Sequence, residues 1–371
     1  MAEVPHNQIL HGDTLAILPT IPARSVDLIV ADPPYNLQLQ QELWRPNMTL
    51  VDAVDDDWDQ FEDFAQYDAF TRAWLTAARR VMKDRASIWV SGTYHNIFRV
   101  GAIMQDSGFW ILNTVAWYKS NATPNFRGVR LKNDLEFVIW AKKTEKASYT
   151  FNNHQVKQFN NGKQLGSMWA IPATGRDERL KGADGKKLHP TQKPEALLTR
   201  IIVASSNPGD IVLDPFVGSG TTAVVAKRLH RRWIGIEQDE TYYNAALRRL
   251  DQVQPLLIGD PLLETAAQNK PARVPFAKLI ECGYLQPGQT LYLDKPDLTA
   301  VILADGQVQA NGYTGSIHKV GAQLKNAPSC NGWAHWSYLD AADRVRPGQR
   351  ALIDRLRERV RSENENAIQK P

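Results

Sequence analysis

Two short apolar runs, Val26-Asp27-Leu28-Ile29-Val30 and Ile211-Val212-Leu213, lead into aspartate-proline turns, Asp32-Pro33-Pro34-Tyr35 and Asp214-Pro215-Phe216. Runs this rich in branched residues read as buried strands. So do Ile9-Leu10, Ile88-Trp89-Val90, Phe137-Val138-Ile139-Trp140 and Trp233-Ile234-Gly235-Ile236. Helical spacing fills the gaps: Phe70, Trp74, Ala77, Ala78 and Val81 predict a helix over 67–82, and further helices are expected over 221–229 and 240–250. Strands alternating with helices predict the α/β class, built on an open, mainly parallel sheet. At 371 residues the chain is long enough for two or three domains.

The boundaries follow from composition. Residues 1–255 form the sheet domain, interrupted at about 119–192 by polar loops, of which 141–192 lacks periodicity and is expected to be mobile or ordered by a ligand. Prolines at 255, 261, 271 and 275 mark 256–272 as a linker. Residues 273–345 read as a small β-rich module, with Pro287-Gly288 and Asp305-Gly306 as turn signals, and 346–371 as a charged helical tail, amphipathic over 349–361.

Charge is unevenly spread. Residues 1–118 carry 8 Lys and Arg against 15 Asp and Glu, and residues 119–200 carry 16 against 7, so a net −7 is followed by a net +9. The second segment suits a polyanion, although a solvated charged loop would look the same. An acidic run from Asp52 through Asp55, Asp56, Asp57, Asp59, Glu62 and Asp63 would repel phosphate, and is expected to be a solvated face, a helix cap or a subunit contact. Two cysteines, Cys282 and Cys330, fit a reducing compartment and leave no zinc quartet. With no long apolar run, a soluble cytoplasmic protein without a bound metal or a membrane partner is expected.

The first turn carries chemistry. Its prolines fix φ and remove two amide donors, so the Pro33 carbonyl and the Asp32 carboxylate can form an acceptor pair beside the Tyr35 ring, with Pro34 closing the turn. That set suits an exocyclic amino group on a stacked base; a plain proline turn is the bland alternative. In the second turn, Gly218 and Gly220 allow a ligand to approach the backbone, and Glu237, 17 residues after Gly220, ends the next strand where a carboxylate can take ribose hydroxyls. The string also fits the loose dinucleotide pattern, so a nicotinamide oxidoreductase stays open, whereas a triphosphate loop is excluded by the missing Gly-Lys-Ser/Thr ending.

Together the two turns resemble those of the amino-methyltransferases of DNA. Their order, proline turn first and glycine turn last, resembles the permuted β group, and His11-Gly12-Asp13 and Leu188-His189-Pro190-Thr191-Gln192-Lys193-Pro194 sit where that group has supporting segments. Asn36-Leu37-Gln38-Leu39, Val51-Asp52-Ala53-Val54-Asp55-Asp56, Tyr94-His95-Asn96-Ile97-Phe98-Arg99, Gly315-Ser316-Ile317-His318-Lys319 and Cys330-Asn331-Gly332-Trp333 extend the likeness to the bacterial cell-cycle-regulated adenine methyltransferases, through about residue 340.

The resemblance implies a Rossmann-like sheet dependent on S-adenosylmethionine, with a C-terminal DNA-binding module. It implies in-line methyl transfer to adenine N6 of double-stranded DNA at GANTC, action on hemimethylated sites after replication, base extrusion and a homodimer. Asp32, Pro33, Pro34 and Tyr35 would be catalytic. Asp13, Asp32, Thr191, Gln192, Lys193, Asp214, Phe216, Gly218, Ser219, Gly220, Thr221, Thr222 and Glu237 would hold the cofactor, with a helix cap as the plain alternative for Asp13 and a surface charge for Glu237. DNA contacts are expected from Leu39, Trp44, Arg45, Arg127, Arg130, Lys132, Ser316, His318, Lys319, Asn331 and Trp333. For His318 a surface role, and for Trp333 a core role, stand beside that reading. A cytosine-N4 enzyme and a non-catalytic DNA-binding regulator are the competing functions.

Overall fold

The computed structural model describes residues 4–36, 59–125, 128–175, 177–182, 185–264, 274–294, 297–339 and 350–368. Leu39, Trp44, Arg45, Arg127 and the acidic positions 52–57 lie outside the described residues. The chain divides into two compact units, Met1–Gln268 and Asn269–Pro371.

The first unit carries β1 (Gln8–His11), α1 (Thr14–Ile17), β2 (Val26–Ala31), α2 (Phe64–Val81), β3 (Met82–Gly92), α3 (Ile97–Asp106), β4 (Trp110–Tyr118), β5 (Leu135–Lys142), α4 (Asn153–Lys157), β6 (Met168–Ala170), α5 (Glu195–Ser205), β7 (Ile211–Asp214), α6 (Thr221–Arg228), β8 (Arg232–Glu237) and α7 (Glu240–Asp251). They form an eight-stranded sheet in the order β1-β8-β7-β2-β3-β5-β4-β6. The five strands from β1 to β3 are parallel, and β5 runs antiparallel to both of its neighbours.

Alternation along β2 explains why the sheet is covered on both faces. Ile29 and Ala31 join a core with Trp74 and Leu75 of α2 and Val100 and Met104 of α3, while Leu28 and Val30 join a second core with Leu197 and Ile201 of α5 and Val225 of α6. Such a strand is apolar at consecutive positions, as the parallel-sheet reading requires. α2 begins where Asp63 accepts a hydrogen bond from the Gln66 amide, three residues before the predicted start at Tyr67. Its buried Tyr67, Thr71, Trp74, Leu75, Ala78 and Val81 follow the predicted face.

Three expectations are corrected. Residues 141–192 are not a structureless insertion: Val156, Trp169 and Ile171 belong to the second core, and β6 pairs in parallel with β4. The expected linker is structured at its start, since Leu256, Leu262 and Leu263 pack against that core and the Leu256 amide donates to the Arg228 carbonyl. The tail is not helical from 349; Arg350–Leu352 forms a strand and the helix starts at Asp354.

The second unit has α8 (Phe276–Glu281), β9 (Thr290–Leu293), β10 (Thr299–Ile302), β11 (Val308–Ala310), β12 (Tyr313–Gly315), α9 (Ile317–Leu324), α10 (Gly332–His335), β13 (Trp336–Leu339), β14 (Arg350–Leu352) and α11 (Asp354–Ile368). Its six-stranded sheet, order β12-β11-β10-β9-β13-β14, is antiparallel throughout. Asp305-Gly306 turns the β10–β11 hairpin as predicted. Leu279, Leu291, Ile302, Val308 and Trp336 build a separate core. Among the described residues, no helix is long and apolar enough to cross a membrane.

Candidate active site

Strands β2 and β7 are hydrogen-bonded neighbours, with Leu28 opposite Val212 and Ile29 opposite Leu213. Their aspartate-proline turns therefore emerge side by side at the carboxyl edge of the sheet, where α/β sheets place ligands. Both turns line one cavity of about 290 Å³, together with Asp13, Thr191, Gln192, Lys193 and Glu237.

The proline turn is held from below. Buried Asp59 accepts the backbone amides of Tyr35 at 2.5 Å and Asn36 at 2.8 Å, and the Tyr67 hydroxyl donates to the Pro34 carbonyl at 3.0 Å. Asn36 sits at φ 54°, a left-handed conformation that Asn tolerates better than most residues. Asp59 thus departs from the solvated face expected of the acidic run, and Asp63 takes the helix-cap alternative. Desolvation raises the Tyr67 hydroxyl to about 12, so it remains a donor.

Above the turn, the Asp32 carboxylate is engaged on both oxygens. The Tyr35 hydroxyl donates to Oδ1 at 2.6 Å and the Lys193 ammonium to Oδ2 at 2.6 Å. Glu136 of β5 joins them: its Oε2 lies 3.3 Å from the Tyr35 hydroxyl and 3.8 Å from Lys193 Nζ, while Lys119 Nζ pairs with its Oε1 at 3.1 Å. Burial opposes the charge on Lys193, but Asp32 and Glu136 outweigh it and hold its pKa above the usual lysine value. Tyr35 is raised well above its usual value, by burial first and by the two carboxylates after it. Lys193, expected at the cofactor, lines the shared cavity and pairs there with Asp32.

The glycine turn is built from backbone. The Gly218 amide donates to Glu237 Oε2 at 2.8 Å, and Glu237 Oε1 takes the Asp239 amide at 2.8 Å. Gly218 has φ +50°, and a Cβ there would meet His189 Nε2 at 2.9 Å. Burial lowers the His189 pKa to about 4, leaving that ring neutral. Asp214 accepts from the Phe216 amide at 2.9 Å and the Thr222 hydroxyl at 2.5 Å, and burial raises its pKa to about 7 against both bonds. Glu237 is also raised by burial. Phe216 is wedged between the Phe70 and Trp74 rings. Acidic groups around a close backbone approach fit a sulfonium cofactor carrying an ammonium and a ribose diol.

Other expected cofactor residues have structural duties. Asp13 lines the cavity but caps α1, its Oδ1 accepting from the Ala16 amide at 3.0 Å. Gly220 is absent from the lining; a Cβ there would meet Ala246 Cβ at 2.8 Å, so its role is to let α7 close on the turn. Ser219 and Thr221 line the cavity and also hold Arg249 through the Ser219 carbonyl and the Thr221 hydroxyl. Gln192 staples the 178–180 segment, donating to the Glu178 carbonyl at 2.9 Å and accepting from the Leu180 amide at 3.0 Å. The Thr191 amide donates to His189 Nδ1 at 3.2 Å.

The expected DNA contacts divide. Arg130 and Lys132 are exposed on the segment leading into β5, with Arg130 3.4 Å from the Tyr94 hydroxyl and Lys132 3.4 Å from Asp134. In the second unit, Ser316 caps α9 by accepting from the Lys319 amide, and His318 Nδ1 accepts from the Gly332 amide at 3.0 Å. Lys319 and Asn331 are exposed. Trp333 is 8% exposed, sits in the core and is covered by the Arg357 guanidinium, so it takes the core role that stood beside the DNA reading. Sequence reasoning missed Asp59, Tyr67, Lys119 and Glu136. The one available signal for Glu136 was a lone acid inside the apolar run 135–141.

A family model described as DNA methylase matches residues 26–248, and one described as Restriction Enzyme Adenine Methylase Associated matches residues 259–365. The chain is 44% identical to Type II methyltransferase M.HinfI of Haemophilus influenzae over 89% of its own length and 91% of the relative's. It is 41% identical to Type II methyltransferase M2.LlaDCHI of Lactococcus lactis subsp. cremoris over 66% of its length and 89% of that protein's. The PvuII DNA methyltransferase (cytosine-N4-specific) shares the fold, with a TM-score of 0.52 at 24% identity over 66% of this chain and 86% of that one. Two aspartate-proline turns around one acidic cavity, within a family match over most of the sheet unit, place the chain in the DNA methylase family: it is a DNA methyltransferase that draws its methyl group from S-adenosylmethionine.

Proposed function

We propose that the enzyme is site-specific and methylates adenine N6 in double-stranded DNA, in the manner of the cell-cycle-regulated adenine methyltransferases. The observation that carries this reading is the shared cavity: the Asp32 acceptor and the Gly218 turn line the same space, so a base and a cofactor can meet there. Adenine is favoured over cytosine by the leading Asp of the proline turn and by the adenine-methylase-associated match over the second unit. The family match over the sheet unit does not by itself separate adenine N6 from cytosine N4.

S-adenosylmethionine supplies the electrophilic methyl group. Glu237 and Asp214 would hold its ribose and cationic end, and Phe216, Gly218, Ser219, Thr221 and Thr222 would bound it, with Thr191 closing the cavity. Asp32 and the Pro33 carbonyl would accept the two N–H groups of the target amino group, drawing its nitrogen out of conjugation so that its lone pair can form the N–C bond as the donor's S–C bond breaks and one amino proton is released. No covalent enzyme nucleophile is needed. Tyr35 orients Asp32 through its hydroxyl and offers its ring to an extruded base. Arg130, Lys132, Lys319 and Asn331 would contact DNA, largely at phosphates, with the second unit serving as a DNA-binding module. GANTC as the site, hemimethylated DNA as the preferred form and a homodimer complete the reading on the strength of the sequence resemblance.

The test is methyl transfer from labelled S-adenosylmethionine to one duplex carrying GANTC and one with that site scrambled, followed by nucleoside analysis. N6-methyladenine in the first duplex alone supports the reading. N4-methylcytosine overturns the base assignment, and equal label in both duplexes overturns the specificity.

A further inference from the structure

Asp32 is satisfied before any base arrives. A carboxylate whose two oxygens hold a tyrosine hydroxyl and an ammonium, each at 2.6 Å, has little negative potential left for an incoming amino group. The conflict sharpens during reaction, because the attacking nitrogen gains positive charge and a fixed ammonium beside Asp32 repels it. Lys193 must therefore be drawn aside, and it is too buried to be released into water, with 10% of its side chain exposed. A second carboxylate within reach of its Nζ can take it.

We infer that Glu136 is a positioning residue for methyl transfer, the station to which Lys193 moves when the target amino group takes Asp32. Glu136 Oε2 lies 3.8 Å from Lys193 Nζ, so a shift of about 1 Å makes a full charge-assisted bond. Its side chain is 13% exposed, enclosed enough for that bond to count. The same oxygen lies 3.3 Å from the Tyr35 hydroxyl and can take it as well. Lys119, 3.1 Å from the other oxygen, competes for its charge. Two carboxylates and two ammoniums stay balanced throughout, and no ion is left bare. The inference rests on the reading of Asp32 as the acceptor of the target amino group.

The experiment measures single-turnover methyl transfer to unmethylated mixed-sequence plasmid DNA, with S-adenosylmethionine affinity read in parallel by calorimetry. Glu136→Gln is expected to slow transfer by about 30-fold with affinity unchanged, the range of a lost charge-assisted bond. Glu136→Asp should recover most of that rate. Lys119→Met frees Glu136 for Lys193, so its rate should equal or exceed the wild type. Adding Lys193→Met to Glu136→Gln should cost nothing further, since no ammonium then needs a station. Wild-type rate in Glu136→Gln, a parallel loss in Lys119→Met, or losses that multiply in the double variant would overturn the inference. If Glu136→Gln does not fold, the sign of the Lys119→Met effect decides. Asp32→Ala is run alongside: activity there removes the underlying reading, whereas an inactive Asp32→Ala with a normal Glu136→Gln removes this inference alone.

Discussion

The two aspartate-proline turns leave neighbouring parallel strands, yet they are completed in opposite ways. Around Gly218 the hydrogen-bond partners of the two acids are local: backbone amides of Gly218 and Asp239 on Glu237, and the Phe216 amide and Thr222 hydroxyl on Asp214. Around Asp32 they come from afar, since Lys193 and Glu136 arrive from other segments of the unit. Backbone donors fixed by the fold need no rearrangement to receive a ligand, whereas a carboxylate held by long side chains must be emptied first. One turn is a ready socket and the other a guarded one.

Asp32→Ala should separate the two turns most strongly. Because the carboxylate serves the amino group and the glycine turn is complete without it, transfer should fall by about a thousandfold or more. Cofactor affinity by calorimetry should stay within about threefold. A parallel loss of affinity would show that the turns are one site rather than two. The reverse case is Gly218→Ala, which must hold a left-handed φ of +50° and place a Cβ 2.9 Å from His189 Nε2. There the expected loss is in cofactor affinity, about tenfold or more, for a strain of about 1–3 kcal/mol. Unchanged affinity would mean that the turn is not the socket.

The ready half was far more legible in sequence than the guarded half. Strand, Asp-Pro, Gly218, helix and Glu237 lie within one short stretch, so spacing alone brings them together. Glu136 and Lys193 lie 101 and 161 positions from their partners Tyr35 and Asp32 and meet only through the sheet order β2-β3-β5 and the segment before α5. The same limit explains the other differences. α5 is buried nearly all round, so it shows no amphipathic stripe, and β6 has too few residues to show a period. Gly220 and Trp333 matched sequence patterns, but packing against Ala246 and within the second unit's core fixed their use.

Asp214 makes the ready turn sensitive to pH. Burial raises its pKa to about 7 in the folded protein, against about 3.9 in an unfolded chain. The native state therefore holds a proton that the unfolded state has lost between those values. The stability this contributes is full below about pH 4 and lost as pH rises to about 7, an effect on the order of a few kcal/mol. A cationic cofactor favours the ionised form, so affinity should rise severalfold between about pH 6 and 8. Asp214→Asn should flatten both the melting-temperature and the affinity profiles, and profiles unchanged from wild type would show that Asp214 does not carry them.

The smallest expected effect concerns the guarded side's approach to DNA. Arg130 is exposed just ahead of β5, the strand that carries Glu136, and its guanidinium lies 3.4 Å from the exposed Tyr94. A phosphate contact there adds affinity without reading sequence, and each such contact contributes about 0.9 to the slope of log affinity against log salt. Arg130→Ala should lower that slope by about one while leaving the transfer rate from the bound complex intact. A changed rate with an unchanged slope would place Arg130 within the guarded turn itself, making the approach to Asp32 and the hold on DNA a single device.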